Sequence, residues 1–122
     1  MYKLNVISSF SSAHKLNGYE GMCKNLHGHN WKVRICVMCD TLDEIGMAMD
    51  FGIIKTKLNE IMSELDHQYL NDLPAFQEMN PTSENLARYI FEQMGKKLSQ
   101  RPCEVMESEV WESEKTSVVY GL

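Results

Sequence analysis

The hydrophobic pattern of this chain has a period of two at both ends and of three to four in the middle. Tyr2, Leu4, Val6 and Phe10 alternate with mostly polar residues, which predicts a strand over 2–13 with one buried face. His14 has the same parity and emerges on that face at the strand's end. Trp31, Val33, Ile35 and Val37 repeat the pattern and predict a second strand over about 28–39, with His27 and His29 in phase. Residues 15–26 between them hold Gly18, Gly21 and several polar residues and read as a loop.

Residues 41–46 read as a turn, after which the period lengthens. Asp50 can cap a helix over about 51–65, with Phe51, Ile54, Leu58, Ile61, Met62 and Leu65 as its apolar stripe. Residues 66–80 form a connection containing Asp66-His67 and Pro74. Pro81-Thr82-Ser83-Glu84 starts a second helix with Thr82 as cap and Leu86, Ile90, Met94 and Leu98 as stripe. Glu84 suits its positive end and Lys96 and Lys97 its negative end; Arg101-Pro102 breaks it. Alternation returns over 103–112 and 116–120. The order ββααββ predicts an α+β fold, a four-stranded antiparallel sheet with two helices on one face, with residues 1–122 as one domain. Such a sheet has two open edges, so association of copies through them is expected.

Composition narrows the partners. At 122 residues, 43% apolar and 24% charged, the chain is ordinary for a globular domain, and its net charge of -5 argues against broad phosphate-backbone binding. No nucleic-acid partner is expected; a small anionic ligand remains compatible. The apolar runs fall short of the roughly 18–20 residues of a membrane span, and the first residues lack a signal-peptide pattern. The expected location is cytoplasmic, without a membrane partner. In a reducing compartment Cys23, Cys36, Cys39 and Cys103 are expected as free thiols. Cys36-Val37-Met38-Cys39 has the spacing of redox and zinc motifs, but it lies within a strand, where positions three apart face opposite ways. Packing is the better reading for that pair.

Candidate chemistry gathers on three of the four histidines. His27 and His29 project from one strand face and can converge on a metal, with Gly28 between them letting another backbone approach. His14 can supply a third nitrogen from the neighbouring strand. Three protein ligands leave one position open, the mark of a catalytic zinc. A His-x-His pair alone is weak, and polar residues at strand ends are its bland reading; the third histidine in phase favours the metal. Cys23, beside Lys24, reads as an accessible thiolate, a fourth metal ligand or a buried loop cysteine. Asp66-His67 suits proton transfer, although on the residues alone a histidine stabilised by the helix C-terminus is the simpler reading. Glu104, Glu107, Glu109, Glu112 and Glu114 make the last strands acidic. One of them turned inward could accept two N–H bonds from the amidine-like edge of a heterocycle, and periodicity does not select which.

The chain resembles the 6-pyruvoyltetrahydropterin synthase family, and more closely its 6-carboxytetrahydropterin synthase branch, which serves queuosine and other deazapurine biosynthesis. The resemblance covers nearly the whole chain. It is carried by Phe10-Ser11-Ser12-Ala13-His14, Cys23-x3-His27-Gly28-His29-Asn30, Gly46-Met47-Ala48-Met49-Asp50-Phe51, Leu65-Asp66-His67-Gln68-Tyr69-Leu70-Asn71, Pro81-Thr82-Ser83-Glu84-Asn85-Leu86-Ala87 and Trp111-Glu112-Ser113 with Tyr120. It implies the tunnelling fold, with sheets joined into barrels in trimers stacked into hexamers and sites between subunits. It implies zinc on His14, His27 and His29, Cys23 as general base with Asp66 and His67, and Glu112 as the anchor of a pterin ring. The family's Glu-Thr is Glu-Ser here, which keeps the hydroxyl. The implied substrate is 7,8-dihydroneopterin triphosphate, with Lys15, Lys24, Lys55 and Arg101 as candidates for the triphosphate. The three-residue gap between Cys23 and His27 resembles the carboxy branch. A cysteine at position 23 departs from a folate-pathway branch that carries glutamate there.

Overall fold

The structure is a computed structural model describing residues 1–18, 25–98 and 102–122. Cys23, Lys24 and Arg101 lie outside the described residues. The predicted order is the one observed: β1 (Tyr2–His14), β2 (His27–Cys39), α1 (Phe51–Leu65), α2 (Ser83–Lys97), β3 (Cys103–Ser113) and β4 (Thr116–Gly121). The strands form one antiparallel sheet in the order β1-β2-β3-β4. The connection between the helices holds two short 3-10 turns, Leu70–Asp72 and Pro74–Phe76, which sequence periodicity does not reveal.

Both helices lie on one face, α1 against β1 and α2 against β3 and β4. The core between them takes Leu4, Val6 and Phe10 from β1 and Trp31, Val33, Ile35 and Val37 from β2. The helices add Ile54, Leu58, Ile61 and Leu65, and Leu86, Ile90 and Met94. Burial of this apolar surface is the main force holding the helices to the sheet. Phe51, expected in the α1 stripe, is exposed instead, at the first turn of the helix. The caps form as read: Asp50 accepts from the Gly52 N–H and Thr82 from the Asn85 N–H.

Two further expectations are corrected. Cys39 and Cys103 face each other across β2 and β3 and form a disulfide, so they are not free thiols; Cys36 is free and buried. The two occupy opposed positions in the ladder, where side chains on one face are closest. Gly28, in turn, accommodates no close approach. A Cβ there would meet only the Ser12 carbonyl oxygen, at 4.0 Å.

The glycine that a close approach does require is Gly121. A Cβ on it would lie 2.3 Å from the Met106 carbonyl oxygen. The cause is a bulge in β3. Val105 pairs with Val37 and Glu107 with Cys36, so Met106 is an extra residue on its strand. The insertion switches the strand's parity. Cys103 and Val105 are buried before it, and Ser108 and Val110 after it. Glu112 continues the second set, onto the helix-facing side.

The outer edge of β1 is partly covered. Residues that follow α1 run along it: the Asp66 carboxylate accepts from the Ser11 N–H at 2.8 Å, and the His67 N–H donates to the Ser11 carbonyl at 2.6 Å. The Ala13 N–H donates to Gln68 at 3.1 Å, and Ala13 bridges to Tyr69 in parallel. The Ser12 hydroxyl donates to the Leu65 carbonyl, fixing the end of α1 to the strand that carries His14.

Candidate metal centre

The registers of β1 and β2 bring the three histidines together. His14 pairs directly with His27, and Ser12 with His29, at the end of the ladder. Inward parity on both strands then aims the three rings at one point above Trp31. The Trp31 indole is fully buried, its N–H donating to the Ser12 carbonyl at 3.3 Å, and it meets His14 and His29 edge-on with centroids 5.1 and 5.2 Å away. This aromatic floor limits the directions in which the imidazoles can turn.

Backbone carbonyls set the tautomers. His14 Nδ1 lies 2.7 Å from the Pro81 carbonyl oxygen, and His27 Nδ1 lies 2.7 Å from the Asn25 carbonyl oxygen. A carbonyl only accepts, so each Nδ1 carries the proton and each Nε2 of the neutral ring presents a lone pair. Those two Nε2 atoms are 3.1 Å apart. Two lone pairs at that distance repel unless a cation lies between them. Ligands about 2.0–2.1 Å from a tetrahedral zinc stand roughly 3.3 Å from one another, close to this spacing.

His29 completes the set. Its Nε2 is buried without a hydrogen-bond partner among the described residues. It lies 2.9 Å from Glu112 Oε1, but the approach fails as a hydrogen bond by its angle. A buried polar nitrogen left unpaired is costly, and a metal bond removes that cost. Burial pushes the His14 and His29 imidazoles below the ordinary histidine range, which favours the neutral rings a metal requires. The three histidine nitrogens and a Glu112 oxygen all lie within 4.8 Å of one another. The donor set is chemically suited to zinc.

Glu112 is the carboxylate that periodicity could not select. Its Oε1 lies 3.8 Å from His14 Nε2 and 4.0 Å from His27 Nε2. Its Oε2 accepts the Ser83 hydroxyl at 3.1 Å. Of the other acidic residues on β3, Glu107 and Glu109 are occupied by Arg34. The start of α2 thus supplies two supports missed by sequence reasoning, the Pro81 carbonyl to His14 and the Ser83 hydroxyl to Glu112. Both fall within the Pro81–Ala87 motif, which was their only signal. Asn25 and Trp31 were also missed as supports.

Asp66 and His67 form a pair of their own. His67 Nδ1 lies 2.8 Å from Asp66 Oδ2. His67 has a positive φ of 54°, uncommon outside glycine, and its ring is largely exposed. The Ser11 N–H, and after it His67, hold the Asp66 carboxyl below its ordinary range. No ion pair or hydrogen bond among the described residues links this pair to the histidine cluster. The pair sits on the outer edge of β1.

Comparison with known proteins agrees with this architecture. The family model for 6-pyruvoyl tetrahydropterin synthase matches residues 3–121. The 6-carboxy-5,6,7,8-tetrahydropterin synthase of Synechocystis sp. is 43% identical over 88 residues, covering 68% of this chain and 67% of that protein. The 6-pyruvoyl tetrahydrobiopterin synthase of Poecilia reticulata is 36% identical over 129 residues, covering 93% of this chain and 86% of the relative. The solved structure of Caenorhabditis elegans 6-pyruvoyl tetrahydropterin synthase matches with a TM-score of 0.88 at 26% identity, over 99% of this chain and 95% of that one. In its sheet order, its helix pair and nearly its full length, this chain has the tunnelling fold and belongs to the 6-pyruvoyl tetrahydropterin synthase family.

Proposed function

We propose that this chain is a zinc-dependent 6-carboxy-5,6,7,8-tetrahydropterin synthase, a lyase converting 7,8-dihydroneopterin triphosphate and one water to 6-carboxytetrahydropterin, acetaldehyde and triphosphate. The observation that carries the metal part is the pair of Nε2 lone pairs facing each other at 3.1 Å beside a third nitrogen that has no partner among the described residues. His14, His27 and His29 would hold the ion. Zinc would supply Lewis acidity at the substrate's side-chain hydroxyls, lowering their pKa.

The remaining roles belong to the chain's own residues. Cys23 takes a proton from the substrate side chain. Asp66 holds the His67 ring by Nδ1, which leaves Nε2 to pass protons during tautomerisation. Glu112 accepts the ring's N–H groups, and triphosphate leaves by elimination. The short gap between Cys23 and His27 and the similarity to the Synechocystis synthase support the carboxy branch. The longer similarity to the Poecilia synthase supports the pyruvoyl branch as the second reading.

Mass spectrometry of products from zinc-loaded protein and 7,8-dihydroneopterin triphosphate separates the two. 6-Carboxytetrahydropterin with acetaldehyde is the expected result. 6-Pyruvoyltetrahydropterin alone would move the protein to the pyruvoyl branch. Unchanged substrate in the presence of bound zinc would favour a non-catalytic pterin-binding module.

A further inference from the structure

Glu112 is asked to do two things in two places. As a ring anchor it must accept N–H groups from the heterocycle. In the structure its carboxylate instead faces the three histidine nitrogens, 2.9 Å from His29, 3.8 Å from His14 and 4.0 Å from His27. Its hydrogen-bond partner is the neutral Ser83 hydroxyl, whereas Glu107 and Glu109 on the same strand both have Arg34. Among the described residues this carboxylate, beside two outward lone pairs, has no positively charged partner, and a dication at their meeting point would supply one.

We propose that Glu112 closes the metal's fourth position while no substrate is bound, and that substrate binding draws it away to the ring's N–H edge. Ser83 is the positioning residue that holds the resting carboxylate. The proposal rests on the zinc reading above and adds an exchange to it. Three histidines with a carboxylate fill a tetrahedral site, so the resting centre is closed to water and to stray ligands. Only a ligand that also satisfies the released carboxylate opens it. The ring N–H groups do that, which links recognition of the heterocycle to access to the metal.

The test uses cobalt(II) as a spectroscopic stand-in, titrated into metal-free full-length protein, with zinc affinity measured by competition. Glu112→Gln keeps the side chain's shape and removes its charge. It is expected to weaken zinc binding roughly 10–100-fold and to change the cobalt visible bands. Ser83→Ala is expected to shift both readouts in the same direction by less. Adding 7,8-dihydroneopterin to wild-type cobalt protein should move its bands, as the carboxylate leaves. Identical affinity and bands in wild type and Glu112→Gln would overturn the resting-ligand role while leaving the three-histidine site intact. Bands unmoved by 7,8-dihydroneopterin would overturn the exchange. Failure of wild-type protein to take up either metal would instead overturn the zinc reading, and this proposal with it.

Discussion

At the scale of single residues, the site works by restricting what each group can do. His14 and His27 are held as one tautomer because their other nitrogens meet backbone carbonyls. Asp66 follows the same principle with charge. The Ser11 N–H and His67 favour its ionised form, so its folded pKa lies below the unfolded value of about 3.9. The unfolded chain therefore binds the proton first as pH falls. Asp66 contributes stability above about pH 4 and loses it as pH drops through the folded value. Urea midpoints measured down the acid limb should fall more steeply for wild type than for Asp66→Asn. Parallel curves would mean that the Ser11 contact does not bias ionisation. The residue types of this site were legible in the sequence, because three histidines in phase on two strands is a rare pattern. Their supports were not, because a carbonyl carries no sequence signature and its partner is fixed only by packing.

At the scale of elements, what the sequence concealed was a bulge. Both helices were readable because their stripes, Ile54-Leu58-Ile61-Leu65 and Leu86-Ile90-Met94, each face a single apolar layer and their caps are local. Strict alternation over 103–112 would put Cys103, Val105, Glu107, Glu109 and Trp111 on one face. The extra Met106 instead turns Ser108, Val110 and Glu112 toward the helices. A one-residue slip exchanges the two faces of a strand, so no count of apolar positions could have chosen Glu112. The Cys39–Cys103 disulfide was hidden for a related reason, since it depends on the β2–β3 register. The bulge in turn explains Gly121, whose missing side chain leaves room for the Met106 carbonyl, and the Leu122 N–H donates to that same oxygen at 3.0 Å. Gly121→Ala should cost about 1–3 kcal/mol as an overpacking substitution, read as a lower urea midpoint. An unchanged midpoint would mean that the end of β4 can leave the sheet without penalty.

At the scale of the whole molecule, the groups assigned to one reaction divide between two places. The histidines and Glu112 face the helix side of the sheet, while Asp66 and His67 lie on the outer edge of β1 with the His67 ring open to solvent. No further strand among the described residues pairs with the rest of that edge or with the far edge along β4, and Val119 on β4 is exposed as well. The family resemblance implies sites shared between subunits; an arrangement of that kind, with sheet edges joined, would cover these groups and set an outward His67 against a second copy's metal centre. Mixing tests this directly. His27→Ala should lose the metal and with it activity; His67→Ala should keep the metal and lose turnover. If each site draws its metal from one protomer and its His67 from another, co-refolded mixtures of the two inactive variants contain complete sites. Random assembly from equal amounts would restore about a quarter of wild-type activity. If instead one protomer supplies both, every site in the mixture lacks either its metal or its histidine, and activity stays at the level of the separate variants. Gel filtration of the same samples supplies the second reading, since a shared site requires elution well above the 14.1 kDa of one chain.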